Sequence, residues 1–282
     1  MNQIFHYFEM IRPLNVLLSG ITVFIAAYLL NQADYKLIFI ISIVVMLFCS
    51  SANIINDLFD LDTDKINHPK KYLKISSLNK SIMIIITLAL LILSLILAHI
   101  YFPLNAIYYL YLICLLIIIY TPYLKGIPLA GNLAISFIIT SVFIITELVL
   151  FNSFSNILFY PCILTFLLTL IREIIKDIDD LKGDFKTKIH TFPSIFGIIF
   201  SIYLLLILTA LLIIISIYPY YIGIYKFSYL ILLVLLVVIP LIGCIFYLWK
   251  YPNFQNRGAL TTITKYITVG GIITILSTKL LG

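Results

Sequence analysis

An all-α, polytopic membrane protein with about nine transmembrane helices is the fold class this 282-residue sequence predicts. Three observations carry the prediction: 63% of the residues are hydrophobic, only 11% are charged, and apolar segments of membrane-spanning length recur from end to end. A mean hydropathy of +1.16 excludes an ordinary soluble domain. Spans in lipid must satisfy their backbone hydrogen bonds internally, and these segments lack the alternation of barrel strands, which leaves helices.

Each expected span can hold roughly 17 to 25 residues, enough to cross hydrocarbon about 30 Å thick. The first, Pro13 to Asn31, follows Arg12 and lacks a small-residue cleavage site, so it reads as a span rather than a signal peptide. The second, Leu37 to Asp57, runs directly into a group of carboxylates. The third and fourth, Ser81 to Tyr101 and Leu104 to Thr121, part at Phe102-Pro103, a break that fits two spans or one kinked hairpin. The fifth, Leu129 to Leu150, carries Glu147 near the far face, where it reads as a helix-end or bundle-polar residue. The sixth, Ile157 to Ile175, leads into a second carboxylate group; Phe192 to Tyr218, Phe227 to Trp249 and Ala259 to Leu281 complete the set. We expect one domain over 1–282.

Orientation follows from the bases. Placing odd-numbered spans in one direction gathers Arg12, Lys65, Lys70, Lys71, Lys74, Lys80, Lys125, Arg172, Lys176, Lys182, Lys186, Lys188, Lys250 and Arg257 on one face, 14 of the 18 Lys and Arg residues. The opposite face keeps Lys36, Lys226 and Lys279, with Lys265 inside the last span. The positive-inside rule makes the basic face cytoplasmic, in a multi-pass protein of the cell membrane. The net charge of +6 is therefore mostly topology and does not point to nucleic acid. Cys49, Cys114, Cys162 and Cys244 are scattered through the spans without paired spacing and read as packing residues; His6, His68, His99 and His190 form no ligand spacing.

The acidic residues are distributed very differently. Asp57, Asp60, Asp62 and Asp64, with Glu173, Asp177, Asp179, Asp180 and Asp184, make up 9 of the 12 carboxylates, and both groups fall at the cytoplasmic face. Asp57-x-x-Asp60-x-x-x-Asp64 is repeated 120 residues later as Asp177-x-x-Asp180-x-x-x-Asp184. At about 100° per residue, positions i, i+3 and i+7 lie within roughly 60° of one another, so each trio shares a helix face. Asn53 precedes the first trio by the interval at which Glu173 precedes the second, and Asn56 and Lys176 match on the flank. Carboxylates stacked this closely repel unless a cation neutralises them. Mg2+ is the natural partner, because it commonly binds through one or two carboxylates plus substrate phosphates, and two facing trios could hold a metal-diphosphate. Solvated helix caps are the competing reading, and the concentration of charge argues against it.

The segment Asn53-Ile-Ile-Asn56-Asp57-Leu-Phe-Asp60-Leu-Asp-Thr-Asp64 resembles the N-D-x-x-D-x-x-x-D signature of the UbiA superfamily of intramembrane prenyltransferases, and Asp177 to Asp184 resembles its second aspartate motif. The resemblance extends over nearly the whole chain, taking in Arg12-Pro13-Leu14-Asn15 and Tyr120-Thr-Pro-Tyr-Leu-Lys125. It implies nine helices around a central cavity under a cytoplasmic cap, with Asp57, Asp60, Asp64, Asp177, Asp180 and Asp184 as catalytic Mg2+ ligands for a prenyl diphosphate. Tyr120 and Lys125 would bind diphosphate and close the pocket; an interfacial Tyr and a topological Lys are the plainer alternative. Asn53 and Asn56 would orient metal-bound water or donate to phosphate, or else bond between helices. Where the family often carries N-R-P-x-R-P, this chain has Asn67-His68-Pro69-Lys70-Lys71-Tyr72, so Lys70 and Lys71 could meet phosphate only as point charges.

Within the superfamily, Arg172 through Asp184 and Thr191-Phe-Pro193 most resemble the archaeal digeranylgeranylglyceryl phosphate synthases. That implies transfer of geranylgeranyl from geranylgeranyl diphosphate to a lipid acceptor, geranylgeranylglyceryl phosphate, forming the second ether bond of an archaeal membrane lipid. Arg172, Lys176 and Lys186 have the right sign for the acceptor phosphate. Two alternatives remain open: an aromatic prenyltransferase of quinone biosynthesis, with 4-hydroxybenzoate or a naphthoate as acceptor, and a transporter coupling to cations through intramembrane carboxylates.

Overall fold

The computed structural model describes residues 2–154, 157–187, 189–251 and 258–280. Lys188, Arg257 and Leu281, used above for topology and for the last span, lie outside the described residues. Every regular element among the described residues is helical. The chain forms two compact units, Met1–Leu124 with Ser141–Leu158, and Lys125–Thr140 with Phe159–Gly282.

In the first unit, α1 (Asn2–Met10) and α2 (Pro13–Leu29) meet at Arg12, whose backbone is left-handed at φ 57, ψ 68. A non-glycine residue holds that conformation only where its surroundings fix it. Pro13 then opens α2, where its missing N–H costs nothing. The Asp34 carboxylate caps α3 (Tyr35–Phe59) by accepting from the Leu37 N–H at 3.0 Å. Gly20 lets α2 approach α3 closely: a Cβ there would lie 2.7 Å from the Met46 sulfur and 2.8 Å from the Ser42 hydroxyl. Two short helices, α4 (Leu61–Asn67) and α5 (Pro69–Ser76), follow before α6 (Lys80–Tyr101), which Asn79 caps through the N–H groups of Ser81 and Ile82. Phe102 is extended, as a residue before proline prefers, and Pro103 starts α7 (Leu104–Ile119) afresh, so the break separates two helices. A π-helical turn, Tyr120–Leu124, ends α7 at Pro122, whose ring cannot donate to the preceding turn. The second half of α8 (Ala130–Phe151) also belongs to this unit.

The second unit is built on α9 (Phe159–Thr187), a continuous helix of 29 residues whose Ile171, Ile174, Ile175 and Ile178 form a buried stripe. Against it pack α10 (Phe192–Tyr221), broken at Gly197 (φ 84), and α13 (Gly258–Leu280). Between them in sequence, α11 (Phe227–Leu233) and α12 (Ile239–Lys250) run through a π-helical turn, Val234–Val238, just ahead of Pro240. Gly270 seats α13 on that turn, where an added Cβ would lie 2.8 Å from the Leu236 carbonyl oxygen.

Among the described residues, seven helical segments are long and apolar enough to cross a membrane: α3, α6, α7 with its π turn, α8, α10, α11 through α12, and α13. Helix α2 is apolar but has 17 residues, and α9 brings Arg172, Glu173 and Lys176 into the run that follows its apolar start. Along α10, Ile199, Phe200, Tyr203, Leu206 and Ile207 are all exposed. A row of large apolar side chains facing outward is the surface a lipid-bathed helix needs.

Candidate active site

The first aspartate set is buried and already compensated by cations. Asp57 sits in the last turn of α3, Asp60 at the junction with α4, and Asp64 inside α4. The expected continuous face survives that junction, because the Asp60 N–H still reaches the Asn56 carbonyl (2.9 Å) and the Asp64 N–H the Asp60 carbonyl (2.7 Å). The three residues are 1%, 7% and 6% exposed, so their charges need partners. Arg12 donates to Asp57 Oδ1 at 2.5 Å, and Lys71 Nζ lies 2.8 Å from the same oxygen and 2.6 Å from Asp64 Oδ2. The Asn56 amide donates to Asp60 Oδ2 at 2.7 Å. Burial alone would push the Arg12 guanidinium toward neutrality; the charge of Asp57, with Asp60 and Asp64 behind it, more than offsets this and raises its pKa.

Local packing holds these cations in place. The Asn53 amide donates to the Ile11 carbonyl at 2.8 Å and so fixes the chain just before Arg12. Met10, Ile54, Ile75, Leu78 and Met83 form a small buried cluster beneath α5, and Lys74 pairs with Glu9 at 2.8 Å on its rim. Lys71 is thereby placed from one side, on the first turn of α5. Lys70, one residue earlier, is exposed.

The second set is arranged otherwise. Asp177, Asp180 and Asp184 all belong to α9, beyond the expected span ending at Ile175. Asn132 donates to Asp177 Oδ2 at 2.7 Å, and the Thr191 hydroxyl to Asp184 Oδ2 at 2.9 Å. These partners are neutral. Nearby, Arg172 meets Glu173 in a short ion pair, and Lys176 Nζ approaches the same carboxylate to 3.8 Å. Burial accordingly raises Asp177 to about 7: the Asn132 bond and Lys176 pull the other way without offsetting it, while Glu173 and Asp184 push further. Burial likewise raises Asp184 to about 6 against the Thr191 bond. Lys125 acts on this set through its charge, favouring ionised Asp184.

Of the other expected residues, Lys186 is exposed in the last turn of α9, and Tyr120 opens the π turn of the first unit while Lys125 falls in the second. Three contributors were not among the expected site residues. Arg12 was counted toward topology, although its place directly before Pro13 was visible. Asn132 is buried at the start of an otherwise apolar helix, and an amide in such a span is itself a signal. Thr191 lies in the Thr191-Phe-Pro193 run that carried part of the resemblance.

The donor chemistry suits a hard divalent cation. All six aspartates offer oxygen; Asp184 is buried and Asp177 half-buried, and each accepts from a neutral donor. Among the described residues, however, no three His, Cys, Asp or Glu side chains converge closely enough to enclose a metal by themselves. Mg2+ held by one or two carboxylates commonly completes its shell with water and substrate phosphate oxygens.

Comparison with known proteins is consistent with that chemistry. Residues 16–264 match the UbiA prenyltransferase family. The chain is 32% identical to digeranylgeranylglyceryl phosphate synthase of Methanosphaera stadtmanae, covering 96% of this chain and 97% of that one. It is 30% identical to the enzyme of the same name from Methanococcus maripaludis, covering 93% of each. A solved structure concerning digeranylgeranylglyceryl phosphate synthase in membranes aligns over 99% of both chains, at 27% identity and a TM-score of 0.73. A UbiA homologue from Archaeoglobus fulgidus, solved with DMAPP and Mg2+, shares the fold at a TM-score of 0.66 and 16% identity over 95% of this chain and 98% of that one.

Proposed function

This chain belongs to the UbiA prenyltransferase family, and we propose that it transfers a geranylgeranyl group from geranylgeranyl diphosphate to geranylgeranylglyceryl phosphate, forming the second ether bond of an archaeal membrane lipid. The observation that carries this reading is end-to-end similarity to archaeal synthases of that name, in a chain with both aspartate motifs intact. Mg2+ is the metal cofactor: it is bound with prenyl diphosphates in structures of the same fold, and the oxygen-only donor set here fits it.

In the proposed reaction the bond between allylic C1 and the diphosphate oxygen breaks, with the electron pair leaving on diphosphate. The acceptor hydroxyl oxygen forms a new bond to C1, and its proton is released. Bound Mg2+ supplies positive charge to the leaving diphosphate. Asp57, Asp60 and Asp64 would hold metal in one set and Asp177, Asp180 and Asp184 in the other, both acting on the same diphosphate. Asn132 and Thr191 would orient the second set, and Arg12 would anchor the first. Lys70, Lys125, Arg172, Lys176 and Lys186 supply positive charge for the phosphates of donor and acceptor, with Tyr120 and Asn56 as hydrogen-bonding groups. The polar ends of these helices do this work while their apolar lengths keep water from the allylic carbon.

We further propose nine spans around a central cavity, adding α2 and the apolar part of α9 to the seven fully apolar segments. The distribution of bases supports a cell-membrane protein whose cytoplasmic face bears both motifs under a cap that includes α4 and α5. The family match over residues 16–264 supports reading 1–282 as one prenyltransferase domain. Purified protein given labelled geranylgeranyl diphosphate, Mg2+ and a panel of acceptors tests the assignment by product mass. We expect digeranylgeranylglyceryl phosphate. Prenylated 4-hydroxybenzoate or naphthoate without the ether product would overturn the acceptor, and ion flux without any prenyl transfer would overturn the enzyme class.

A further inference from the structure

The first aspartate set already holds a cation between two of its carboxylates. Lys71 Nζ bridges Asp57 Oδ1 and Asp64 Oδ2 at 2.8 and 2.6 Å, which is the position of a cation shared by two ligands. In the second set, Asp177 and Asp184 accept from neutral Asn132 and Thr191 instead. We propose that Lys71 is an internal counter-ion that occupies the cation position of the first aspartate set and must swing away before a divalent ion binds there.

Three features make Lys71 the displaceable partner. Its side chain is 32% exposed while those of Asp57 and Asp64 are 1% and 9%, so the ammonium can move into water and the carboxylates cannot. It is a flexible point charge at the first turn of a short helix, making one contact to each carboxylate, and it gives up fewer directed hydrogen bonds than a guanidinium would. Arg12, the other cation on Asp57, is equally exposed at 32%, but among the described residues it pairs with Asp57 alone, and its backbone is held by the left-handed conformation and the Asn53 bond to Ile11. Without metal, Lys71 keeps two buried carboxylates from repelling one another. With metal, it competes. The first set therefore loads metal less readily with Lys71 in place than without it.

This inference rests on the Mg2+-dependent reading above, and its test separates the two. Thermal melting of the detergent-solubilised protein is followed against Mg2+ without substrate. For Lys71→Met we expect a lower melting temperature without metal, and a half-saturating Mg2+ concentration reduced about 3- to 10-fold, the range set by a partly buried ion pair. Lys71→Arg should raise that concentration, and Lys36→Met, at an exposed residue in the first turn of α3, should leave it alone. An unchanged or raised half-saturation in Lys71→Met overturns the proposal whatever happens to turnover. If that variant does not fold, Lys71→Arg decides: an affinity equal to that of the parent protein overturns it. Absence of any Mg2+ response in the parent protein overturns both this inference and the function it rests on.

Discussion

At the scale of single residues, charge compensation decides what each aspartate can do. Asp57 is almost fully buried and yet tolerable because Arg12 and Lys71 meet it, whereas Asp177 is met by an amide and its pKa is driven to about 7. The sign of the consequence is definite. Asp177 has a folded pKa above its ordinary value of 3.8, so its contribution to stability is fully present below that value and is lost as pH rises through about 7. Asp184, raised to about 6, acts in the same direction slightly earlier. Metal-free protein should therefore melt lower at about pH 8 than at about pH 5, and Mg2+, which needs the ionised form, should restore the loss. Between about pH 8 and pH 6 the half-saturating Mg2+ concentration should rise by up to roughly tenfold per unit below the governing pKa. Melting temperatures recorded with and without Mg2+ across that range check this; a flat metal-free profile with pH-independent affinity would refute it. The repeated spacing of the aspartates was legible in the sequence. Their partners were not, since Arg12 to Asp57 and Asn132 to Asp177 each span 45 residues of chain, and local periodicity carries no information on such contacts.

At the scale of elements, boundaries followed from hydropathy wherever a proline or polar residue punctuates it. Helices α2, α6, α7, α10 and the α11–α12 segment start within a residue of expectation for that reason, at Pro13, Lys80, Leu104, Phe192 and Phe227. Helix α9 continues past its apolar stretch to Thr187, as the shared face expected of Asp177, Asp180 and Asp184 requires, with the buried stripe ending at Ile178 and the Thr261–Asp179 hydrogen bond along it. The interruption of the first motif at Asp60 stayed hidden, since the carboxylate spacing is identical in an unbroken helix. Close approaches between helices give the direct test of packing. A Gly270→Val change should destabilise the second unit by about 1–3 kcal/mol, since the new Cβ would meet the Leu236 backbone oxygen at 2.8 Å and Leu236 Cβ at 2.9 Å. Loss of less than about 0.5 kcal/mol, measured by reversible unfolding in detergent, would show that α13 shifts freely on the π turn it covers.

At the scale of the whole molecule, acidic charge is concentrated where α3 meets α4 and in the second half of α9, while apolar residues form buried clusters and outward rows such as that along α10. The helical membrane class was legible from the apolar runs, and the reaction from the resemblance of the aspartate motifs to the UbiA signature, in a setting that leaves few reasons to keep carboxylates. The acceptor was less legible: it depends on groove shape, and it is the similarity to archaeal synthases that favours a glycerolipid. The central claim is that both aspartate motifs serve one Mg2+-dependent transfer. Its most direct test is ether-product formation from geranylgeranyl diphosphate and geranylgeranylglyceryl phosphate by Asp57→Asn and Asp177→Asn, each beside the parent protein at saturating Mg2+, with helical content monitored. We predict that each variant keeps its helical content and loses at least about 100-fold in turnover, on the scale of removing preorganised electrostatic stabilisation. Near-normal turnover in either variant would contradict the account.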